Sequence, residues 1–420
     1  MEKLFILLGL LSGLSAIPAW AADAAALPGA DLPGLWQYLE QNNAELQAAR
    51  LESSAAAQRA AAAGALPDPS LRIEWQDVNQ PGGVTLAPNQ VGAVRYTWLQ
   101  PVPGWGKLDA VKQSALASAR GVEAQQLVAQ ANLQAQLRES FARYYRSYQA
   151  IRLNDDLLSF AASASKLAQT RYEQGLSSQQ EWIAAQLDEA ALRSDSYALQ
   201  AEHRKNQARL NALLNRPAGA ELAPPQALPP LPADAALEET QLLQRLENTS
   251  PQLQQQIAAS AEMQGEAEMA ARNRIPDFVV GIAPQQQGSS VSSWNAMLEF
   301  TIPLHEGSHS AHRHEAEERV RASQEREQAL RQSLVADLGE HRAALQASTE
   351  QLQLIRAHNL PLVEVAYQGA LAAYQNDRLD YATLWRAKRE VQRMRLDELD
   401  ALVGQQIHLS AIERLLGGAL

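Results

Sequence analysis

The sequence predicts a mostly α-helical chain with a small β part: four strands and two pairs of very long antiparallel helices. Three observations carry this. The same order of elements is written twice, the extended runs alternate apolar and polar residues, and the stretches between them are long, proline-poor and rich in helix formers.

The duplication sets the frame. AAGALPDPSLRIEWQD around Pro67 matches AARNRIPDFVVGIAPQ around Pro276, an offset of 209, and RYEQGLSSQQEWIAAQ matches AYQNDRLDYATLWRAK with Trp182 and Trp385 203 apart. LWQYLEQNNAELQAAR likewise pairs with LLQRLENTSPQLQQQI. A shared order over this length is stronger than any single short match. The reading is one domain over 22–420, made of repeats at about 35–216 and 236–416, joined by a Pro-rich linker, 217–235.

Residues 1–21 read as a secretory signal: Lys3, an apolar run from Leu4 to Leu14, and the small-x-small site Ala19-Trp20-Ala21. The mature chain is therefore expected outside the cytoplasm. It has no cysteine, hence no disulfide and no cysteine-linked lipid. Nothing after the signal reaches 18 consecutive apolar residues, so entry into a membrane would require a closed β-barrel. The net charge of -11, without a basic stripe, argues against nucleic acid. With no Cys nucleophile, GxSxG, HExxH or phosphate loop, the sequence predicts no enzyme and no cofactor.

In the strands, Leu71, Ile73 and Trp75 oppose Arg72, Glu74 and Gln76, and Val94, Tyr96 and Trp98 oppose Arg95 and Thr97. Phe278, Val280 and Ile282 alternate with Val279, Gly281 and Ala283, and Trp294, Ala296, Leu298, Phe300 and Ile302 with Asn295, Met297, Glu299 and Thr301. Each repeat thus holds two strands of about ten residues, the length that crosses a bilayer. An ordinary sheet with a soluble core gives the same alternation. In a barrel, Trp75, Tyr96, Trp98 and Trp294 would anchor at the lipid interfaces; in a soluble sheet they would be core. Four strands cannot close a barrel, two chains would give eight with a filled interior, and three would give twelve with room for passage.

In the helices, no proline falls between Gly104 and Arg216. Leu133, Leu137, Phe141, Tyr144, Tyr148 and Ile151 recur at spacings of four and three, a coiled-coil-like seam. A helix from about Trp105 to Glu173, turning at Gly175, would be roughly 100 Å long. Trp182 and Trp385, just past the turns, read as packing residues.

This doubled order resembles the TolC-like outer-membrane efflux proteins over nearly the whole mature chain. The residues that carry the resemblance are Leu66-Pro67-Asp68-Pro69, Gln100 to Leu108 (QPVPGWGKL) and Arg171 to Leu176 (RYEQGL); the first two look most like the heavy-metal, CzcC/CusC-like branch. The resemblance implies a homotrimer in outer-membrane lipid, with a 12-stranded β-barrel and a periplasmic α-barrel. It implies a periplasmic adaptor and an inner-membrane RND-type pump as partners. It also implies passive export of heavy-metal cations from periplasm to outside; drugs or organic toxicants are the alternative cargo, and a soluble periplasmic coiled-coil scaffold the alternative class. Arg171, Tyr172, Gly175, Leu176, Tyr374 and Leu379 would form the periplasmic tip that meets the adaptor. Thr383 and Arg386 stand where the family often has gate aspartates, which leaves Asp377 and Asp380 as gate candidates.

One cluster stands outside the motifs. LHEGSHSAHRHEAEE holds four of the eight histidines, with His305, His309 and His312 at i, i+4, i+7 and His314 beside them. Imidazoles at that spacing can hold Zn²⁺, Cu²⁺ or Ni²⁺ transiently. The other reading is a solvated helix start, where Glu306, Glu315, Glu317 and Glu318 favour the positive helix end. His203, His341, His358 and His408 are expected on helix surfaces.

Overall fold

The structure is a computed structural model that describes residues 27–80, 83–84, 86–376 and 378–420. The expected signal segment, 1–21, and Asp377 lie outside the described residues.

Each repeat begins with two short helices that share a single capping residue. In the first, α1 (Leu32–Asn42) and α2 (Ala44–Ala62) meet at Asn43. Its N–H donates to Leu39 O at 2.8 Å, while its side-chain oxygen accepts from the Leu46 N–H at 3.0 Å. One asparagine thus ends one helix and starts the next.

The chain then enters β1 (Ser70–Gln76), which stops at Asp77, held at φ 54°. A left-handed residue breaks the pleat, so β1 is 7 residues long rather than about ten. A small hairpin, β2 (Asn79–Gln80) and β3 (Gly83–Val84), follows before β4 (Ala93–Val102).

Next comes α3 (Lys107–Glu173), 67 residues without interruption, and its return helix α4 (Gln179–Leu213). No helix or strand forms between Leu213 and a 3₁₀ turn at Asp234–Leu237. The second repeat runs α5 (Glu239–Thr249), α6 (Pro251–Arg272), β5 (Asp277–Gln287), β6 (Ser290–Thr301) and α7 (Glu306–Leu354). A π-turn (Ile355–Asn359) leads into α8 (Leu360–Gln375), and α9 (Tyr381–Leu416) returns. The break has a local cause: Pro361 has no N–H for the i→i−4 ladder, and its ring crowds the preceding turn. No helix is long and apolar enough to cross a membrane among the described residues.

The four long strands form one antiparallel sheet in the order β1-β4-β5-β6. The central pair joins the repeats, and β1 and β6 are its open edges. Register puts Leu71, Trp98, Ile282 and Ala296 side by side in one rank. That face is open: Trp98, Ile282, Trp294, Leu298, Phe300 and Ile302 are all more than half exposed. The opposite face carries the rank Glu74, Arg95, Gln285 and Ser293, in which Arg95 meets Glu74 at 3.6 Å and donates to Gln285 at 3.3 Å. The sheet therefore has an apolar face with no core behind it.

The cores lie among the helices. Leu133, Leu137, Phe141 and Tyr144 of the expected seam are buried against Leu35 and Leu210. A second core gathers Leu242, Leu246, Leu338 and Ile412. Two helix-borne histidines depart from the surface expectation. His203 stacks on Tyr144 with ring centroids 4.9 Å apart and lies 3.0 Å from Ser147 Oγ, and burial lowers its pKa. His408 pairs with His341 across α9 and α7, centroids 5.9 Å apart. Both line seams where long helices pack closely, which a one-helix view of polarity does not reveal.

Where sheet meets helices, the two repeat motifs touch. Asp277 Oδ1, from the second Pro-Asp, accepts from the Gly104 N–H and from Lys107 Nζ, each at 2.7 Å. Lys107, from the first PGWGK turn, is only 7% exposed. Removing the carboxylate strands a buried ammonium. Asp277→Ala is expected to destabilise the folded protein by about 2 kcal/mol, the range of a charged hydrogen bond. Chemical unfolding of the purified protein checks this; an unchanged midpoint would mean the pair contributes nothing.

Candidate functional site

The far ends of the two hairpins form one polar and aromatic cluster. The first turn follows from Gly175, held at φ 72°, a conformation that favours glycine. It lets the Gly175 N–H donate to Tyr172 O at 2.9 Å and the Leu176 N–H to Arg171 O at 2.8 Å. Ser178 then caps α4 by accepting from the Glu181 N–H at 3.2 Å. In the second turn Asp380 caps α9, accepting from the Thr383 N–H at 3.0 Å. The hydrogen bonds from Thr383 hold its carboxyl below the usual range.

These turns bring most of the expected tip residues together. Tyr172 stacks on Trp182 with centroids 5.6 Å apart, and the Arg171 guanidinium lies 5.5 Å over the Tyr374 ring. Leu379 packs on the same cluster. Gly175 and Leu176 lead the outer edge instead, with Leu176 65% exposed. Asp377, the other gate candidate, lies outside the described residues.

Further groups, which no sequence motif marks, tie one hairpin to the other. Tyr381 Oη donates to Asp188 Oδ2 at 3.3 Å, and Tyr374 Oη to Glu181 Oε1 at 3.5 Å. Both bonds run from the second hairpin to α4. Burial, and then the Asp188 charge, pushes the Tyr381 hydroxyl up; burial also raises Asp188. Tyr381 is 1% exposed and stacks with Trp385, which stacks in turn on Phe160. Lys388 lies 4.8 Å over the Tyr367 ring and 5.4 Å over that of Phe160, and burial lowers its pKa. The only sequence signal for this set was the aromatic density around the two turns.

The histidine cluster lies at the opposite end of the second hairpin. His305 precedes α7 and caps it without a side-chain bond. His312 Nδ1 lies 3.5 Å from Glu315 and His314 Nδ1 3.2 Å from Glu317. Residues two apart on a helix diverge, so His314 leaves the face of His305, His309 and His312. Among the described residues of one chain, no group of three or more such side chains is arranged to hold a metal.

Known proteins share this duplicated strand pair with long helical hairpins. Residues 242–418, most of the second repeat, match the sequence model of the outer membrane efflux protein family. The structure is similar to CusC, with 19% identity over 92% of each chain and a TM-score of 0.76. It is similar to the outer-membrane channel OprN, with 18% identity over 92% of this chain and 90% of that one, TM-score 0.79. It is similar as well to VceC of Vibrio cholerae, with 16% identity over 92% of this chain and 96% of that one, TM-score 0.77. The fold is that of TolC-like channels. No curated protein matches the sequence.

The hydroxyl of Tyr381 is the most economical probe of the tip. Tyr381→Phe keeps the stack and removes one bond between hairpins. Tryptic cleavage at Arg378 and Arg386 is expected to quicken about fivefold, the factor that about 1 kcal/mol gives. An unchanged cleavage rate would show that the hydroxyl restrains nothing.

Proposed function

We propose that the protein is the outer-membrane channel of a tripartite efflux system, a passive conduit from periplasm to outside that performs no chemistry. The observation that carries this is the sheet: an apolar face open to the surroundings, a polar face behind it, and two unpaired edges. A face of this kind suits lipid, but in lipid every backbone group must be paired. Consecutive strands alternate in direction, so β6 of one copy can pair antiparallel with β1 of the next. Repetition then closes a barrel without edges. Three copies give twelve strands, which leaves the lumen that eight would fill.

In this reading the long hairpins form the periplasmic tunnel of a homotrimer. The tip with Arg171, Tyr172, Gly175, Leu176, Tyr374 and Leu379 meets a periplasmic adaptor, which links it to an inner-membrane RND-type pump. Asp380 and Asp377, three residues before it in sequence, are the gate candidates of this reading. The cargo is heavy-metal cations: the LPDP and PGWGKL motifs resemble that branch, and His305, His309, His312 and His314 offer weak imidazole ligands that can release what they bind.

Two measurements test the proposal. The protein is expected to stay with outer membranes through a high-salt wash and to behave as three chains in detergent. A protein soluble as single chains without detergent would end the reading, and recovery in the wash would favour the scaffold. Deleting the gene is expected to sensitise cells to copper, zinc, cobalt or cadmium; sensitivity to organic toxicants alone would reassign the cargo.

A further inference from the structure

Two cavities meet at Leu157 and Gln392, between α3 and α9, and they differ in how their charges are met. In the larger, about 970 Å³, the cations are engaged: Arg395 meets Glu364 at 2.6 Å, and Lys388 lies over the Tyr367 ring. The smaller, about 720 Å³, opens between α3, α4 and α9. Its floor is apolar, with Leu157, Leu192 and Trp385 almost fully buried and Leu199 half-buried beside them. An apolar hollow of this size with a few polar groups around it is the usual form of a small-molecule site.

The polar groups of the smaller cavity are mostly donors. Arg386, Arg389 and Arg393 line it from one face of α9, at spacings of three and four. Arg393 is engaged by Glu390. The charges of Asp380 and Asp188 reach Arg386 and Arg389 through space. Yet neither arginine makes an ion pair or hydrogen bond among the described residues. Asp195, on the α4 wall, is the one other carboxylate that lines the cavity among those residues. Asn154 lines it from α3 and is 3% exposed. Its amide donates to Leu192 O at 3.4 Å, which leaves the second N–H without a partner among the described residues.

Two guanidinium groups and an amide thus surround an apolar floor, and what they lack is an acceptor. A guanidinium matches a carboxylate or sulfonate with two parallel hydrogen bonds, and side chains at i and i+3 are close enough to share one. A small inorganic anion would leave the floor uncovered, and a purely apolar molecule would leave the donors unmet.

We propose that this groove binds an amphipathic organic anion. Its carboxylate or sulfonate sits between Arg386 and Arg389, and its apolar body covers Leu157, Leu192, Leu199 and Trp385. The occupant touches α4 of the first hairpin and α9 of the second, the helices that Tyr381 and Asp188 tie, and so adds a second link between them. The site lies within one chain and rests on neither the ring nor the cargo proposed above.

Naphthoate is the probe, titrated by calorimetry into the purified protein. It is expected to bind about tenfold more tightly than naphthylmethanol, which has the same body without the charge; naphthylmethylammonium is expected to bind no better than the alcohol. Arg386→Gln with Arg389→Gln is expected to weaken naphthoate by about tenfold or more and to leave the alcohol unchanged. Ala198→Trp fills the groove from α4 and keeps both arginines; it is expected to weaken naphthoate and alcohol alike. Naphthoate that binds no tighter than the alcohol, or equally well to the double glutamine variant, would overturn the site. Undiminished binding to Ala198→Trp would place the anion on surface arginines alone and would overturn the groove.

Discussion

Unpaired backbone at the two edges of a four-stranded sheet is the constraint from which the rest follows. An edge strand presents N–H and C=O groups that must find partners, and an open edge invites another chain. When the same sheet also turns an apolar face outward, water is the wrong surroundings and lipid the right one, where an unpaired peptide group is costlier still. The chain cannot satisfy both demands alone. The proposed ring would meet both by the same act, pairing β6 with β1 of another copy.

The duplication makes that act cheap in sequence terms. A unit of two strands and one long hairpin has already solved its own junction once, between β4 and β5, inside the chain. There a buried lysine and a Pro-Asp carboxylate fix how the strands hand over to the helices. In the proposed ring the junction between copies would reuse that geometry with different side chains, since Asp68 repeats Asp277 while no lysine stands where Lys107 does. A fixed lysine makes the inner junction permanent.

Much of the architecture is legible in the sequence because it is periodic. Alternation gives the strands, a four-three spacing gives the buried seam from Leu133 to Tyr144, and Gly175 gives the turn. What is not legible has local or long-range causes. Asp77 shortens β1 through one left-handed residue, and Pro361 forces a π-turn into what otherwise reads as one helix. The tie from Tyr381 to Asp188 spans 193 residues of sequence and two hairpins, so no local pattern announces it. Of the expected tip residues, those with rings or long stems converge, whereas Gly175 and Leu176 shape the turn and its exposed edge.

The placement of the cores distinguishes the braced levels of the molecule from its tip. Short helices α1 and α5 bury leucines against the long helices and brace each repeat at that level. The tip has no such brace. Its helices bury their own apolar cluster, with Leu157, Ala161, Ala185 and Leu384 in it, and are tied further by stacked rings, cation–π contacts and side-chain hydrogen bonds worth about 1 kcal/mol net each. Segments that must move are drawn from the less stable parts of a structure. In the proposed conduit, the ties that run from one hairpin to the other at the tip, Tyr381 to Asp188 and Tyr374 to Glu181, are the contacts that a gate there would have to release.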